Sequence, residues 1–154
     1  MAEDTATSEL TIHEIHKPEE LPSWLSRDEL AQFLHESLKP YEDTVDDIHR
    51  ALRYAFGEEG QGGFVLVGEI DKKPVGALVM LHTGMGGYIP EDILLFIAVA
   101  PEGRGKGIGG KIVKKAIDMC PGDVKLHVEY DNPAKRLYER IGFTSKYAEM
   151  RYEK

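Results

Sequence analysis

The chain has 154 residues, 42% of them hydrophobic, with 19 basic against 27 acidic side chains and a formal net charge of −8. The length fits one domain, the hydrophobic share excludes a disordered chain, and the charge excludes a general binder of nucleic-acid backbone or anionic membrane. The lone Cys120 cannot form an internal disulfide, the opening MAEDTATSEL has no basic or apolar signal region, and the longest apolar run, Ile93–Ala100, is far short of the ~20 residues of a membrane helix.

The polar start at residues 1–8 is expected to be flexible and residues 9–154 to form a single cytoplasmic domain. Leu10 and Ile12 alternate with Thr11 and His13 as a weak first strand. Ser26-Arg27-Asp28-Glu29 reads as a capping box, and Leu30, Phe33, Leu34 and Leu38 recur at helical spacing until Pro40. A second helix starts near Asp43 or Thr44, buries Val45, Ile48, Leu52 and Ala55, and is closed by Gly57. Phe64–Val67 and Val75–Leu81 read as a hairpin around Asp71-Lys72-Lys73-Pro74, and Gly84, Gly86 and Gly87 mark a mobile connection.

Ile93–Ala100 has no polar alternation, as expected of a central strand covered on both faces. A helix from about Gly107 to Met119 follows, then a strand carrying Val124, Leu126, Val128 and Tyr130. Asn132-Pro133 opens a short helix with proline at its first position. Ala134, Leu137, Tyr138 and Ile141 face inward, and Gly142 lies just past its end. Phe143 onward reads as a last strand through Tyr147, Met150 and Tyr152. The order β-α-α-β-β-β-α-β-α-β is that of a mixed α/β sandwich.

The informative crossover is residues 101–111, with five glycines in the eight positions 103–110. A plain turn needs one or two. Here glycine lets the backbone approach a ligand, and the free N–H groups of a helix's first turn favour an anion such as phosphate. Gly105–Lys111 matches the start of a P-loop, but Ile112 stands where Ser or Thr must hold Mg²⁺. Gly105, Gly107 and Gly110 match the dinucleotide fingerprint, with Asp131 at a fitting distance. Only 44 residues follow Gly110, too few to complete a doubly wound sheet.

The third match is Arg104-x-x-Gly107-x-Gly109 after a strand ending Val99-x-Pro101, joined by Asn132-x-Ala134 and Tyr138-Glu139-Arg140-Ile141-Gly142-Phe143. Together these resemble the GNAT superfamily of acyl-CoA-dependent N-acyltransferases over roughly residues 9–152. The resemblance implies a mixed, mostly antiparallel central sheet with splayed fourth and fifth strands, flanked by about four helices. It also implies acetyl-CoA as cosubstrate. Backbone groups of Ile97, Ala98 and Val99 would line the pantetheine arm, and the N–H groups of Arg104, Gly105, Lys106, Gly107, Ile108, Gly109 and Gly110 would hold the pyrophosphate. Asn132 would contact the pantetheine arm or orient the adjoining backbone.

By the same resemblance Tyr138 is the acid that protonates the departing thiolate. A phenol of pKa ~10 can serve a thiolate of pKa ~8.5 while keeping its own proton at rest. Many members carry a glutamate four residues before the position of Val99; here that position is Leu95. A base must come from elsewhere, with His82, Glu91, Asp92, His127 and Glu129 as candidates, or the amine loses its proton through a water chain.

Residues 101–115 hold five basic groups against Glu102, a local +4 that suits an anionic cosubstrate, while residues 18–47 hold nine acids against Arg27 and Lys39. The acidic stretch would attract a cationic amine (a polyamine, a lysine or peptide amine, or an amino sugar), or it serves only solubility. Trp24 with Pro22 could wall an acceptor pocket or anchor a helix start. The six histidines lack metal-ligand spacing, so no metal is expected. The leading expectation is an N-acetyltransferase. Its alternatives are a non-catalytic acyl-CoA-binding sensor or interaction domain of the same fold, and a dinucleotide-binding oxidoreductase. No nucleic-acid or membrane partner is expected, and a dimer is compatible with the sequence but not specified by it.

Overall fold

The computed structural model describes residues 9–154, so the segment 1–8 lies outside the described residues. Five strands form one sheet in the order β1-β2-β3-β4-β5. They are β1 (Thr11–Ile15), β2 (Gly63–Ile70), β3 (Lys73–His82), β4 (Asp92–Val99) and β5 (Val124–Leu126). The first four pair antiparallel, while β5 runs parallel to β4 over three residue pairs, Asp92↔Val124, Ile93↔Lys125 and Leu94↔Leu126. Beyond Leu94 the β5-facing edge of β4 has no strand partner among the described residues. This open edge is the wedge that the resemblance implies.

Four α-helices cover the sheet: α1 (Arg27–Ser37), α2 (Val45–Ala55), α3 (Ile108–Met119) and α4 (Ala134–Ile141). The capping box starts α1, since Ser26 Oγ accepts from the Glu29 N–H at 3.1 Å and Glu29 Oε1 accepts from the Ser26 N–H at 2.8 Å. Thr44 caps α2 by accepting from the Asp47 N–H at 3.1 Å, which decides its start. Asp71 and Lys72 both take left-handed φ, 54° and 61°, as a tight hairpin turn between β2 and β3 demands.

The core has two halves, one on each face of the sheet. On one, Ile15, Leu30, Leu34, Ile48, Leu52, Val65, Val67 and Val79 join β1–β3 to α1 and α2. On the other, Phe64, Leu66, Leu78, Met80, Leu94, Ile112 and Val113 join the sheet to α3. Alternate residues of β2 thus enter opposite halves, which is why its apolar run lacks polar alternation. Gly68 and Gly76 admit α3 closely: a Cβ on Gly76 would lie 2.7 Å from Ile112 Cδ1.

A bulge in β4 shapes the site. Val79 pairs with Phe96 and Met80 with Leu94, so Leu95 is the extra residue. Leu95 and Phe96 therefore both pack toward the α1–α2 half, while Ile97 and Val99 pack toward α3.

Two expectations fail at the C-terminal side. The strand expected over Val124–Tyr130 ends at Leu126, and no strand forms over 143–152. Phe143 packs on the α3 half of the core, but Tyr147, Met150 and Tyr152 are 84%, 89% and 89% exposed. Alternation supplies the strand pattern but not the hydrogen-bonding partner that a strand requires, and three residues of β5 offer little ladder to extend. The short helix also begins one residue later than expected, with Pro133 as its N-cap. Among the described residues no helix is long and apolar enough to cross a membrane.

Candidate active site

The site grows from the point where β4 leaves the sheet. After Val99 the chain makes a single 3₁₀ turn, Pro101–Gly103, in which the Gly103 N–H donates to Ala100 O at 2.8 Å. The Arg104 side chain folds back over this turn. Its Nε donates to Val99 O at 3.1 Å and its Nη2 to Ser37 O at 2.8 Å, joining the end of β4 to the C-terminus of α1. The Arg104 backbone N–H is engaged as well, with Pro101 O at 3.3 Å.

Gly105 and Gly107 then adopt φ of 81° and 77°, a left-handed conformation that any Cβ would strain, and Gly107 is the N-cap of α3. Backbone bonding resumes only at the Lys111 N–H, which donates to Gly107 O at 3.1 Å. Between them the N–H groups of Gly105, Lys106, Gly107, Ile108, Gly109 and Gly110 make no backbone hydrogen bond among the described residues. Such a row at a helix N-terminus carries the positive end of the helix dipole.

Grooves flank this helix start on both sides. One, of about 370 Å³, runs between α3 and α4 and is lined by Gly107, Gly110, Lys111, Lys114, Leu137 and Arg140, among others. The other, of about 500 Å³, lies toward β1 and β2, where Lys106 and Lys111 edge an apolar floor of Leu10, Ile12, Ile70 and Ile108. Lys115 is committed elsewhere, 3.0 Å from Glu14.

Tyr138 comes to the same region on α4. It is 7% exposed and stands edge-on to the Phe143 ring, with centroids 5.8 Å apart. Burial first, and then the charge of Glu129, push its phenol well above the ordinary tyrosine range. At neutral pH it holds its proton. Asn132 is used locally: its Oδ1 accepts from the Ala134 N–H at 2.9 Å, and its Nδ2 donates to Glu129 Oε1 at 3.3 Å.

The five candidate bases are not brought together. His82 Nδ1 lies 2.5 Å from Asp92 Oδ1 at the start of β4, where Asp92 is fully buried and its Oδ2 finds no hydrogen-bond partner among the described residues. Glu91 beside it accepts from the Asp123 N–H at 3.3 Å. Seven strand steps separate Asp92 from Val99, about 23 Å at ~3.3 Å per residue, so these three lie at the far end of β4. His127 is exposed on the β5–α4 connection. Glu129 alone of the five acts on Tyr138.

Two features at this site have no local sequence signal. Tyr41, on the α1–α2 connection, donates from its hydroxyl to Asp131 O at 3.1 Å across 90 residues of chain. Asp43 beside it has its carboxyl pushed up by burial, then by Asp47 and Glu129. Trp24, by contrast, packs on the α1–α2 half of the core, its ring edge-on to His13 at 6.0 Å.

The profile of the acetyltransferase (GNAT) family matches residues 13–143. Cysteine-rich protein 2-binding protein of Mus musculus is 41% identical over 66 residues, covering 42% of this chain and 8% of that protein. Spermidine N(1)-acetyltransferase of Vibrio cholerae is 27% identical over 114 residues, covering 70% of this chain and 63% of that enzyme. The chain thus spans less than two thirds of the length of either relative. Among solved structures, an aminoglycoside N-acetyltransferase in complex with CoA superposes with a TM-score of 0.68 at 15% identity, over 96% of this chain and 95% of that one. A match along residues 13–143, on a sheet that opens between β4 and β5 above a glycine-led helix, has one conclusion: the chain belongs to the acetyltransferase (GNAT) family.

Proposed function

We propose that this protein transfers an acetyl group from acetyl-CoA to a primary amine by direct attack, and that the acceptor is cationic. The observation that carries this reading is the convergence of three features on one edge: the unpaired end of β4, the uncommitted N–H row over 105–110, and Tyr138. The chain's own groups fit such a cosubstrate. The N–H row and the lysines beside it suit the pyrophosphate, and the free edge of Ile97, Ala98 and Val99 suits an extended amide-bearing arm.

In the reaction the amine nitrogen attacks the thioester carbonyl carbon and the C–S bond breaks. A backbone N–H of β4, that of Val99 by family resemblance, steadies the carbonyl oxygen as it gains charge. Tyr138 gives its proton to the departing sulfur.

Charge is divided between the two faces of the sheet. The basic stretch 101–115 lies on the α3 side, and the acidic stretch 18–47, which contains α1, lies on the other. An anionic cosubstrate and a cationic acceptor are thereby drawn from opposite sides. A polyamine, a lysine or peptide amine, and an amino sugar all fit this field, and a cytoplasmic setting suits the single free cysteine.

Isothermal titration with acetyl-CoA, with NADH and ATP as controls, tests the reading without an acceptor. Micromolar affinity for acetyl-CoA alone is expected, weakened in Arg104→Ala because that side chain ties the loop to Val99 and Ser37. No acetyl-CoA binding would overturn it. Binding without thiol release across an amine panel would favour a non-catalytic acyl-CoA sensor.

A further inference from the structure

The reaction proposed above sheds protons from nitrogen, and the open end of β4, Leu95–Val99, offers nothing to take them. Leu95 and Phe96, at the bulge, are apolar and packed on the α1–α2 half of the core. The edge beside them is bordered instead by two connections that touch through Tyr41 and Asp131. Glu129 stands where they meet. Its Oε1 is held by Asn132 Nδ2 at 3.3 Å, and Asn132 is itself fixed by the Ala134 N–H at the start of α4, one turn before Tyr138. The titratable groups its charge reaches are Tyr138 from α4 and Tyr41 and Asp43 from the α1–α2 connection, with Asp131 on its own connection and Asp47 of α2 acting on Asp43 as well.

Resting on that transferase reading, we propose that Glu129 is the proton acceptor of the reaction and Asn132 its positioning residue. Between ammonium and amide the nitrogen loses two protons. Glu129 takes the first from the acceptor's ammonium and passes it to solvent, to which it is exposed. The freed lone pair then forms the C–N bond. As the C–S bond breaks, Glu129 takes the second proton from nitrogen while sulfur receives the proton of Tyr138. The neutral carboxyl of Glu129 finally returns its proton to the Tyr138 phenolate, leaving one proton on sulfur and one in water.

This circuit also removes a difficulty with Tyr138. A phenol pushed above its ordinary range is a weak acid for a thiolate of pKa ~8.5. Part of that push is the negative charge of Glu129. Protonating Glu129 cancels the charge just as the sulfur departs, and Tyr138 becomes the stronger acid at that step.

The test is the pH profile of kcat/KM with acetyl-CoA and spermidine for the wild type, Glu129→Gln, Glu129→Asp and Asn132→Ala. A lysine peptide and glucosamine serve as parallel acceptors. Glu129→Gln is expected to lose ~10²–10⁴ in rate at pH 7 while acetyl-CoA affinity by titration stays within about twofold. Its rate should climb about tenfold per pH unit toward the amine pKa near ~10, where the acceptor deprotonates unaided. The wild type and Glu129→Asp should be flat between pH 7 and 9, and Asn132→Ala should lose less than Glu129→Gln with the wild-type profile. By NMR at pH 7 with ring-labelled tyrosine, the Tyr138 ring signals should shift in Glu129→Gln relative to the wild type, because a nearby negative charge is removed. A Glu129→Gln enzyme with the wild-type rate and profile overturns the assignment, as does a loss uniform across pH. A wild type that binds acetyl-CoA yet releases no thiol with any of the three amines overturns the transferase reading instead. In that case Tyr138 ring signals unmoved by Glu129→Gln separately overturn the juxtaposition.

Discussion

Tyr138 gathers at one side chain the effects of burial, charge and position in the chain. Its helical spacing with Ala134 and Ile141 places it inward, and the turn at Gly142 brings Phe143 against its ring. Removing only the hydroxyl should leave this packing intact. Tyr138→Phe is therefore expected to lower kcat by ~10² or more with little change in acetyl-CoA affinity. Steady-state thiol release together with titration calorimetry checks both halves, and a wild-type kcat would remove Tyr138 from its assigned role. Cys120 offers a second test at this scale. Burial first, then the nearby charge of Asp92, push the thiol up to about 12. A thiol raised from an ordinary ~8.5 carries roughly a thousandfold less thiolate at pH 8. Iodoacetamide at pH 8 should accordingly alkylate the folded chain on the order of 10³ times more slowly than the urea-unfolded chain. Equal rates would mean that Cys120 is not held in this environment.

The packing of α3 against the sheet decides where its N-terminus points. Gly76 and Gly68 leave no side chain between β2–β3 and Ile112, so the helix sits close and its free N–H groups stand level with the end of β4. A methyl group at Gly76 would meet Ile112 at 2.7 Å and Ala98 O at 3.3 Å. Gly76→Ala is expected to destabilise the fold by about 1–3 kcal/mol, the usual cost of overpacking, as measured by urea unfolding. Where that strain moves α3 rather than rotating the Ile112 side chain, acetyl-CoA binding weakens with it. An unchanged midpoint and affinity would show that the helix has slack. The sequence marks the ends of these elements well, through the Ser26 box, Thr44, Gly107 and Gly142. It marks the C-terminal strand poorly. The alternation from Phe143 to Tyr152 satisfies the periodicity of a strand, yet a strand exists only with a hydrogen-bonded partner strand, and residues 143–152 have none among the described residues.

On the scale of the whole molecule, charge is arranged against its own total. A chain of net −8 keeps a local +4 in residues 101–115, and Lys111, Lys114 and Arg140 face the groove between α3 and α4. Binding of an anionic cosubstrate there should be electrostatically assisted and sensitive to screening. Raising NaCl from about 20 to about 300 mM, across which the Debye length falls from roughly 20 to 6 Å, is expected to weaken acetyl-CoA affinity several-fold. Lys114→Ala and Arg140→Ala should each lower that dependence. An affinity indifferent to salt would place the anionic groups away from this groove.

By itself the sequence determined whatever depends on neighbours along the chain. It set the helices and their caps, the apolar strands, the glycine crossover with its positive φ angles, and the inward placing of Tyr138. These follow from steric limits on φ and ψ and from periodic burial, both of which are local. Only the tertiary structure decided which polar groups meet. His82, Glu91, Asp92, His127 and Glu129 are equivalent as titratable residues in a list, and the pairing of β4 with β5 separates them, sending three to the far end of the strand and one to where its charge acts on Tyr138. Tyr41 reaches Asp131 across 90 residues, and Arg104 reaches Ser37 across 67. Such contacts are fixed by how the sheet and its two helical layers close on one another. Side-chain reach of a few ångströms acts only after that closure, and nothing in the order of residues encodes it locally.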